Sequence, residues 1–343
     1  MFHRPLVAAT LLAAASVFAA ATAHAQTAVP FALDWKFEGP AAPYFAAIDM
    51  GNFAALGLDV TVEAGNGSLD AIPKVATGAY PVGMADINSL IKFLDHNPGA
   101  PVIAAMMVYD KPAFAVIGRK SLGIAEGVDG PKSLEGKVLG APPPDGAWAQ
   151  FPIFAAANGL DMSKITVEPV GFPTREPMLA EGNVAAVTGF SFTSYLNVGR
   201  LGVPEDDLVT MLMADYGVEL YGNAIIINTD FAAANPDVIK GFLTGVAEGW
   251  AASIADPAAV IPMLIARNPA ADAALEQRRL ELSIRDNVNT DAVKANGFGV
   301  IDTARMARSL EQIATTYTFN TPPDMALYFT DAYLPEGGFK LVK

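Results

Sequence analysis

The sequence predicts an α/β protein of two lobes, each a mostly parallel sheet flanked by helices, with a cleft between them. Three observations carry this. Short apolar or β-branched runs alternate with helical patterns in two successive series, two further apolar strands bracket the second series, and the chain turns helical beyond Asn235. Strands that alternate with helices read as βα units packed on a parallel sheet.

The first series pairs a strand at 29–33 with a helix at 41–56, a strand at 59–63 with a helix at 69–77, and a strand at 82–84 with a helix at 87–94, and then adds a strand at 102–108. The second runs through a strand at 137–140, a helix at 147–157, a strand at 165–170, a helix at 175–180, and strands at 185–188 and 208–213. The runs 113–118 and Asn223–Asn228 are the expected crossings between lobes. This makes one lobe discontinuous, from 26–115 and 223–343, with the other spanning 116–222. Asn235 is the expected N-cap of the next helix and Pro236 its first residue, with apolar residues recurring through Val238, Phe242, Val246 and Trp250. Helices at 257–267, 271–285 and 303–316 complete a cover over the first lobe.

Residues 1–25 read as a cleaved secretory signal. Arg4 gives a positive start, 6–21 is apolar, and Ala23-His24-Ala25 supplies a small-residue cut site. The apolar run is shorter than the roughly 20 residues that a membrane span needs. Without a cysteine anywhere, an acyl anchor after the cut is excluded. Removal of this segment leaves 318 residues carrying 21 basic and 36 acidic side chains, a net charge of −15. That surface repels nucleic acid and anionic lipid. The expected location is the periplasm, where a cysteine-free chain must rely on core burial rather than disulfides.

Catalytic equipment is sparse. Thiol catalysis and a histidine-rich metal site are excluded, because the mature chain has no cysteine and only His96, which sits in a polar turn. Nothing singles out a carboxylate pair for hydrolysis. No cofactor motif or metal site is read from the chain. The informative stretch is 32–40, a strand running into a polar and aromatic turn, where an open α/β sheet places its ligand. Trp35 or Phe37 offers a flat face to a ring; Asp34 or Glu38 offers an acceptor to N–H groups. The glycine-rich run Gly65-Asn66-Gly67-Ser68 precedes a helix whose free N–H groups face the cleft, although a plain turn capped by Ser68 explains it equally well.

Leu33-Asp34-Trp35, the Gly-Asn-Gly-Ser loop, Lys74-Val75-Ala76-Thr77-Gly78 and Val82-Gly83-Met84-Ala85-Asp86 fall in the order and spacing of the thiamine-pyrimidine-synthesis type of substrate-binding protein. The chain resembles that family, relatives of the sulfonate, nitrate and taurine receptors of ABC transporters. The resemblance implies a type II periplasmic-binding-protein fold whose lobes close about a hinge on a small ligand. It further implies a monomeric receptor that docks on a permease in the inner membrane. Carried onto this chain, the implied ligand contacts are Asp34, Trp35 and Glu38 after the first strand, Asn66 and Ser68 after the second, and Asp86 after the third. The other lobe contributes Trp148, Phe190, Ser191, Glu219 and Tyr221. The yeast-type relatives that make the pyrimidine rely on a cysteine cluster, which this chain lacks, so synthetic activity is not implied. Lys36-Phe37-Glu38-Gly39-Pro40 also replaces the Pro-Asn-Thr-Asn-His-like run of the pyrimidine binders.

Charge separates the ligand classes. A receptor for sulfonate, nitrate or an aromatic acid needs an arginine or several N–H donors in its cleft. Here the cleft loops offer Lys36 and Arg175 against Asp34, Glu38, Asp86, Asp145 and Glu219, and Arg175 is expected on a solvent-facing helix paired with Glu176 or Glu181. The balance favours a neutral or cationic nitrogen heterocycle such as an aminopyrimidine. The alternatives are an organic-anion receptor, a periplasmic hydrolase, and a sensory or structural module on the same fold.

Overall fold

The computed structural model describes residues 26–341; the expected signal segment lies outside them. Ten strands form two five-stranded sheets. β1 (Thr27–Ala32), β2 (Leu58–Glu63), β3 (Val82–Asp86), β4 (Val102–Met107) and β10 (Asn223–Asn228) make the first, in the order β2-β1-β3-β10-β4. The second has the order β7-β6-β8-β5-β9. It is built from β5 (Phe114–Arg119), β6 (Val138–Ala141), β7 (Thr166–Pro169), β8 (Ala186–Phe190) and β9 (Leu208–Leu212). β1 runs parallel to β2 and β3, and β6 parallel to β7 and β8. β10 and β5, one per sheet, run antiparallel to both neighbours. Each reversed strand begins where the chain has just crossed, so its direction is set by the crossing rather than by a βα unit.

Burial follows the sequence pattern. β2 alternates, with Leu58 and Val60 inward and Asp59 and Thr61 in solvent, as an edge strand does. β10 is buried along its whole length, as befits an interior strand covered on both faces.

In the first lobe the helices are α1 (Ala42–Asp49), α2 (Asn52–Ala55), α3 (Ser68–Ala76) and α4 (Ile87–His96). The single helix expected over 41–56 is two, because Gly51 takes a left-handed conformation (φ 79°) between α1 and α2. The second lobe carries α5 (Gly146–Ala157), α6 (Phe172–Glu181) and α7 (Ser191–Arg200). After β10 come α8 (Thr229–Ala234), α9 (Pro236–Ala255), α10 (Pro257–Ile265), α11 (Ala273–Ser283), α12 (Asp291–Asn296) and α13 (Thr303–Ala314). Asn235 does not cap α9 with its side chain; its amide donates to Phe231 O at 3.0 Å and closes α8 instead. α9 and α10 pack on α1, with Phe242, Val246, Trp250, Val260 and Leu264 in one core with Phe31 and Phe45. α13 buries Met306, Leu310 and Ile313 in one core with Ile87, Leu90, Ala104 and Met107 of the first lobe. Arg305, Ser309 and Gln312 donate to the carbonyls of Leu220, Glu219 and Gly217, so this helix is fastened over the second crossing.

The two crossings touch. Gly222 N–H donates to Tyr109 O at 2.9 Å, and a Cβ on Gly222 would press on Tyr109 and on the backbone of Pro112. Glycine at 222 lets the two connections lie side by side.

Candidate functional site

The sheets present their strand ends to a cleft, and the connections following β1, β2, β6, β7 and β8 wall it. One chamber encloses about 380 Å³ of space, counted together with the solvent at its mouth. The first lobe supplies Asp34, Trp35, Gly67 and Ser68; the second supplies Pro144, Asp145, Gly146, Phe172, Arg175, Phe190 and Thr193. Trp35 and Phe190 also border a second chamber of about 340 Å³, lined further by Lys36, Glu38, Met84 and Tyr109.

Asp34 is fixed by the way the first two loops nest. Gly67 N–H donates to Asp34 O at 2.6 Å and Gly65 N–H to Trp35 O at 3.0 Å. A Cβ at Gly65 would collide with Leu33 O, so the glycine is required for this approach. Ser68 is the first residue of α3 rather than its cap; its Oγ accepts from Asp86 N–H at 2.9 Å and donates to Asp34 Oδ2 at 3.4 Å. The Asn223 amide, from β10, donates to the same Asp34 oxygen. Asp34 is 6% exposed. Burial pushes its carboxyl up to about 7; the bonds from Asn223 and Ser68 pull it back only in part, and the nearby Asp86 charge adds to the rise.

In the second lobe Asp145 caps α5, accepting from Ala147 N–H at 3.3 Å and from Thr188 Oγ1 at 3.0 Å. Burial raises its carboxyl too, opposed first by the Arg175 charge. Arg175 corrects the sequence expectation, being 3% exposed and lining the chamber rather than facing solvent. Its pairing with Glu176 does occur, with Nε and Nη2 donating to Glu176 Oε1 at 2.9 and 2.6 Å. Gly189 on β8 makes room, since a Cβ there would strike Ser194 Oγ and lie 3.1 Å from the guanidinium carbon.

The aromatic walls come from both lobes. Trp35 meets Phe172 edge-on, with centroids 4.8 Å apart, and Phe190 lies 5.7 Å from Phe192. The Lys36 ammonium sits 5.4 Å over the Trp35 ring. Trp35 Nε1 is buried with no hydrogen-bond partner among the described residues.

Contacts also cross the mouth. Thr193 Oγ1 on α7 donates to Glu38 Oε2 at 2.9 Å, and Arg279 on α11 holds that carboxylate at 2.8 Å. Arg279 also donates to Asn197 of the second lobe at 2.9 Å. The same arginine lies 3.4 Å from Glu276, whose other oxygen accepts from Gly39 N–H at 2.6 Å.

Six sequence-derived candidates line neither chamber. Asp86 spends its oxygens capping α4, accepting from the N–H groups of Asn88 and Ser89, the Ser89 hydroxyl and the Asn88 amide. Asn66 is exposed on its loop while its neighbours Gly67 and Ser68 line the wall. Trp148 stacks on Phe151 at 5.5 Å, against the core. Ser191 opens α7 with its N–H on Ala113 O. Glu219 is exposed and pairs with Arg308 at 2.6 Å. The Tyr221 hydroxyl accepts from Asp302 N–H at 2.8 Å beneath Arg305. These last two are turned away because α13 covers their segment from the far side. The chamber residues that sequence reasoning missed as ligand contacts are Phe172, Arg175 and Thr193, together with the supports Asn223 and Arg279. Gly171-Phe172-Pro173 carried a turn-then-helix signal, whereas Arg279 lies 241 positions from Glu38 and carried none. No cluster of three metal-binding side chains occurs among the described residues, and no described helix is long and apolar enough to cross a membrane.

Residues 40–260, well over half of the chain, match the family model described as NMT1/THI5 like. The chain belongs to that family. Among relatives, it is 25% identical over 304 residues to the riboflavin-binding protein RibY of Chloroflexus aurantiacus, covering 87% of this chain and 83% of the relative. It is 25% identical over 286 residues to a formylaminopyrimidine-binding protein of Halalkalibacterium halodurans, covering 81% and 82%. A 4-amino-5-hydroxymethyl-2-methylpyrimidine phosphate synthase of Aspergillus parasiticus is 23% identical over 285 residues, covering 79% and 81%. The structure is similar to the alkanesulfonate-binding protein SsuA of Xanthomonas axonopodis. The TM-score is 0.64, with 14% identity and coverage of 88% of this chain and 95% of that one. At that identity the likeness is one of fold. This NMT1/THI5-like chain therefore has the two-lobed architecture of periplasmic substrate-binding proteins.

Proposed function

We propose that this NMT1/THI5-like chain is the exported substrate-binding component of an ABC importer and that it captures a pyrimidine-type nitrogen heterocycle. One observation carries the choice of ligand. Two buried carboxylates from opposite lobes, Asp34 and Asp145, border an aromatic chamber whose one arginine is already bound to Glu176. Carboxylates accept from amino or ring N–H groups, and Trp35, Phe172 and Phe190 supply faces for a flat ring. A small anion would enter against unbalanced negative charge. The ligands named for the two binding-protein relatives, a formylaminopyrimidine and riboflavin, both contain a pyrimidine ring, in the flavin as part of a fused system.

Binding proceeds by hinge closure. The ligand settles on Asp34 and Trp35, and the second lobe swings over it through the crossings at Tyr109–Phe114 and Leu220–Asn223. Thr193 reaches Glu38 and Phe172 reaches Trp35 only when the lobes meet, and contacts confined to the closed form are what shift the equilibrium toward it. The closed receptor then docks, as a monomer, on an inner-membrane permease.

Native purification followed by mass spectrometry of the co-purified small molecule tests the assignment, with calorimetry against aminopyrimidines, flavins, taurine and alkanesulfonates. Binding of the sulfonates without any pyrimidine or flavin overturns the ligand class. Turnover of the bound molecule by the pure protein overturns the receptor reading.

A further inference from the structure

Arg175 is the one arginine lining the 380 Å³ chamber, and the side chain behind it sets what that charge can do. Glu176 accepts from Arg175 Nε at 2.9 Å, from Arg175 Nη2 at 2.6 Å and from Ser194 Oγ at 2.9 Å, all on the single oxygen Oε1. Asp145 Oδ2 lies 3.8 Å from Arg175 Nη1. One positive charge thus meets two negative ones, and all three side chains are nearly inaccessible to solvent. In a low-dielectric setting such charges are screened little, so the surplus is felt across the chamber. The arrangement is held from three elements: α6 carries the pair, α7 brings Ser194, and β8 brings Thr188 to Asp145 and the glycine that admits the guanidinium.

We propose that Glu176 is a specificity-determining residue that masks Arg175 and so excludes small organic anions from the cleft. The inference rests on the reading that the cargo is a neutral or cationic heterocycle. Glu176 does not line the chamber; it acts through Arg175. Arg175 Nη1 makes no hydrogen bond among the described residues, and it is the donor that an entering sulfonate or carboxylate would use. Neutralising Glu176 leaves one positive charge against one negative, so an anion that reaches Nη1 no longer meets a surplus of negative charge. Because all three hydrogen bonds end on Oε1, the amide oxygen of Glu176→Gln can accept every one of them, so the substitution removes charge while keeping the geometry.

The test is isothermal titration calorimetry of the wild type and Glu176→Gln with methanesulfonate and benzoate, each protein first checked for a cooperative melt. The wild type is expected to give no binding at millimolar anion. Glu176→Gln should bind at least about tenfold more tightly than the wild type, the scale of one hydrogen bond to a charged group. Arg175→Met added to Glu176→Gln should abolish the gain. Glu181→Gln, which removes an exposed charge from the same helix, should produce none. If Glu176→Gln fails to melt cooperatively, Asp145→Asn carries the same measurement by removing the other neighbouring carboxylate. A folded variant without any gain in anion binding overturns the mask, and a gain of equal size in Glu181→Gln does so too. Either result leaves the pyrimidine reading standing on its own titrations. A wild type that binds methanesulfonate or benzoate overturns both. A wild type that binds neither anion nor heterocycle, beside a Glu176→Gln that takes the anion, removes the ligand assignment and supports the mask.

Discussion

Replacing Asp34 by asparagine separates what this side chain does for binding from what it costs the fold. Burial raises its carboxyl from the ordinary 3.8 to about 7, so the folded protein holds this proton at pH values where the unfolded chain has lost it. With fewer protons bound in the unfolded state, stability falls as pH rises from 3.8 and levels off above 7. At 1.36 kcal/mol per tenfold, the full cost at and above pH 7 is roughly 4 kcal/mol, of which roughly 3 kcal/mol accrues between pH 5 and pH 8. Asparagine carries no such cost. It can also keep both side-chain bonds, because Ser68 and Asn223 donate to one oxygen, Oδ2, whose place an amide oxygen can take. Urea denaturation of the ligand-free proteins at pH 5, 6, 7 and 8 should therefore show Asp34→Asn gaining on the wild type by roughly 3 kcal/mol across that range. The same variant should bind its ligand at least about tenfold more weakly at pH 8, having lost a charge-assisted acceptor. A stability difference that does not change with pH, or one that shrinks as pH rises, refutes the reasoning.

Wild-type affinity should fall below pH 7 by up to about tenfold per pH unit, since a ligand N–H favours the ionised Asp34; a titration of Kd against pH checks this, and Asp34→Asn should show a flat profile. Trp35→Ala should weaken binding by about 2 kcal/mol, from lost stacking and apolar burial, while Trp35→Phe loses less, as read by calorimetry. Thr193→Val removes the hydroxyl that reaches Glu38 across the mouth and should cost about tenfold or more in affinity, with a larger ligand-free radius of gyration in X-ray scattering. Arg279→Met leaves Glu38 and Glu276 with no guanidinium between them and should destabilise the protein by about 3–5 kcal/mol in urea. That deficit should shrink as pH falls into the carboxylate range.

The chain's own pattern determined the architecture because its signals are local. Alternating apolar strands and helices announced the two sheets, and Leu33-Asp34-Trp35 running into a polar turn marked one wall of the cleft. The Gly65–Ser68 loop was legible for a related reason, since only glycine permits its approach to the end of β1. Which side chains within those loops face the chamber was decided by tertiary structure. Asp86 looked like a ligand contact and became a helix cap, because the first N–H groups of α4 compete for any nearby carboxylate. Glu219 and Tyr221 belonged to a loop of the right kind, but α13, arriving about 80 residues later, covered them with arginines. Arg175 moved the other way, drawn from an expected surface position into the chamber by carboxylates on two elements and a glycine on a third. Charge pairing is set by distance in space and by exclusion of water, and neither is written in the spacing of residues along the chain.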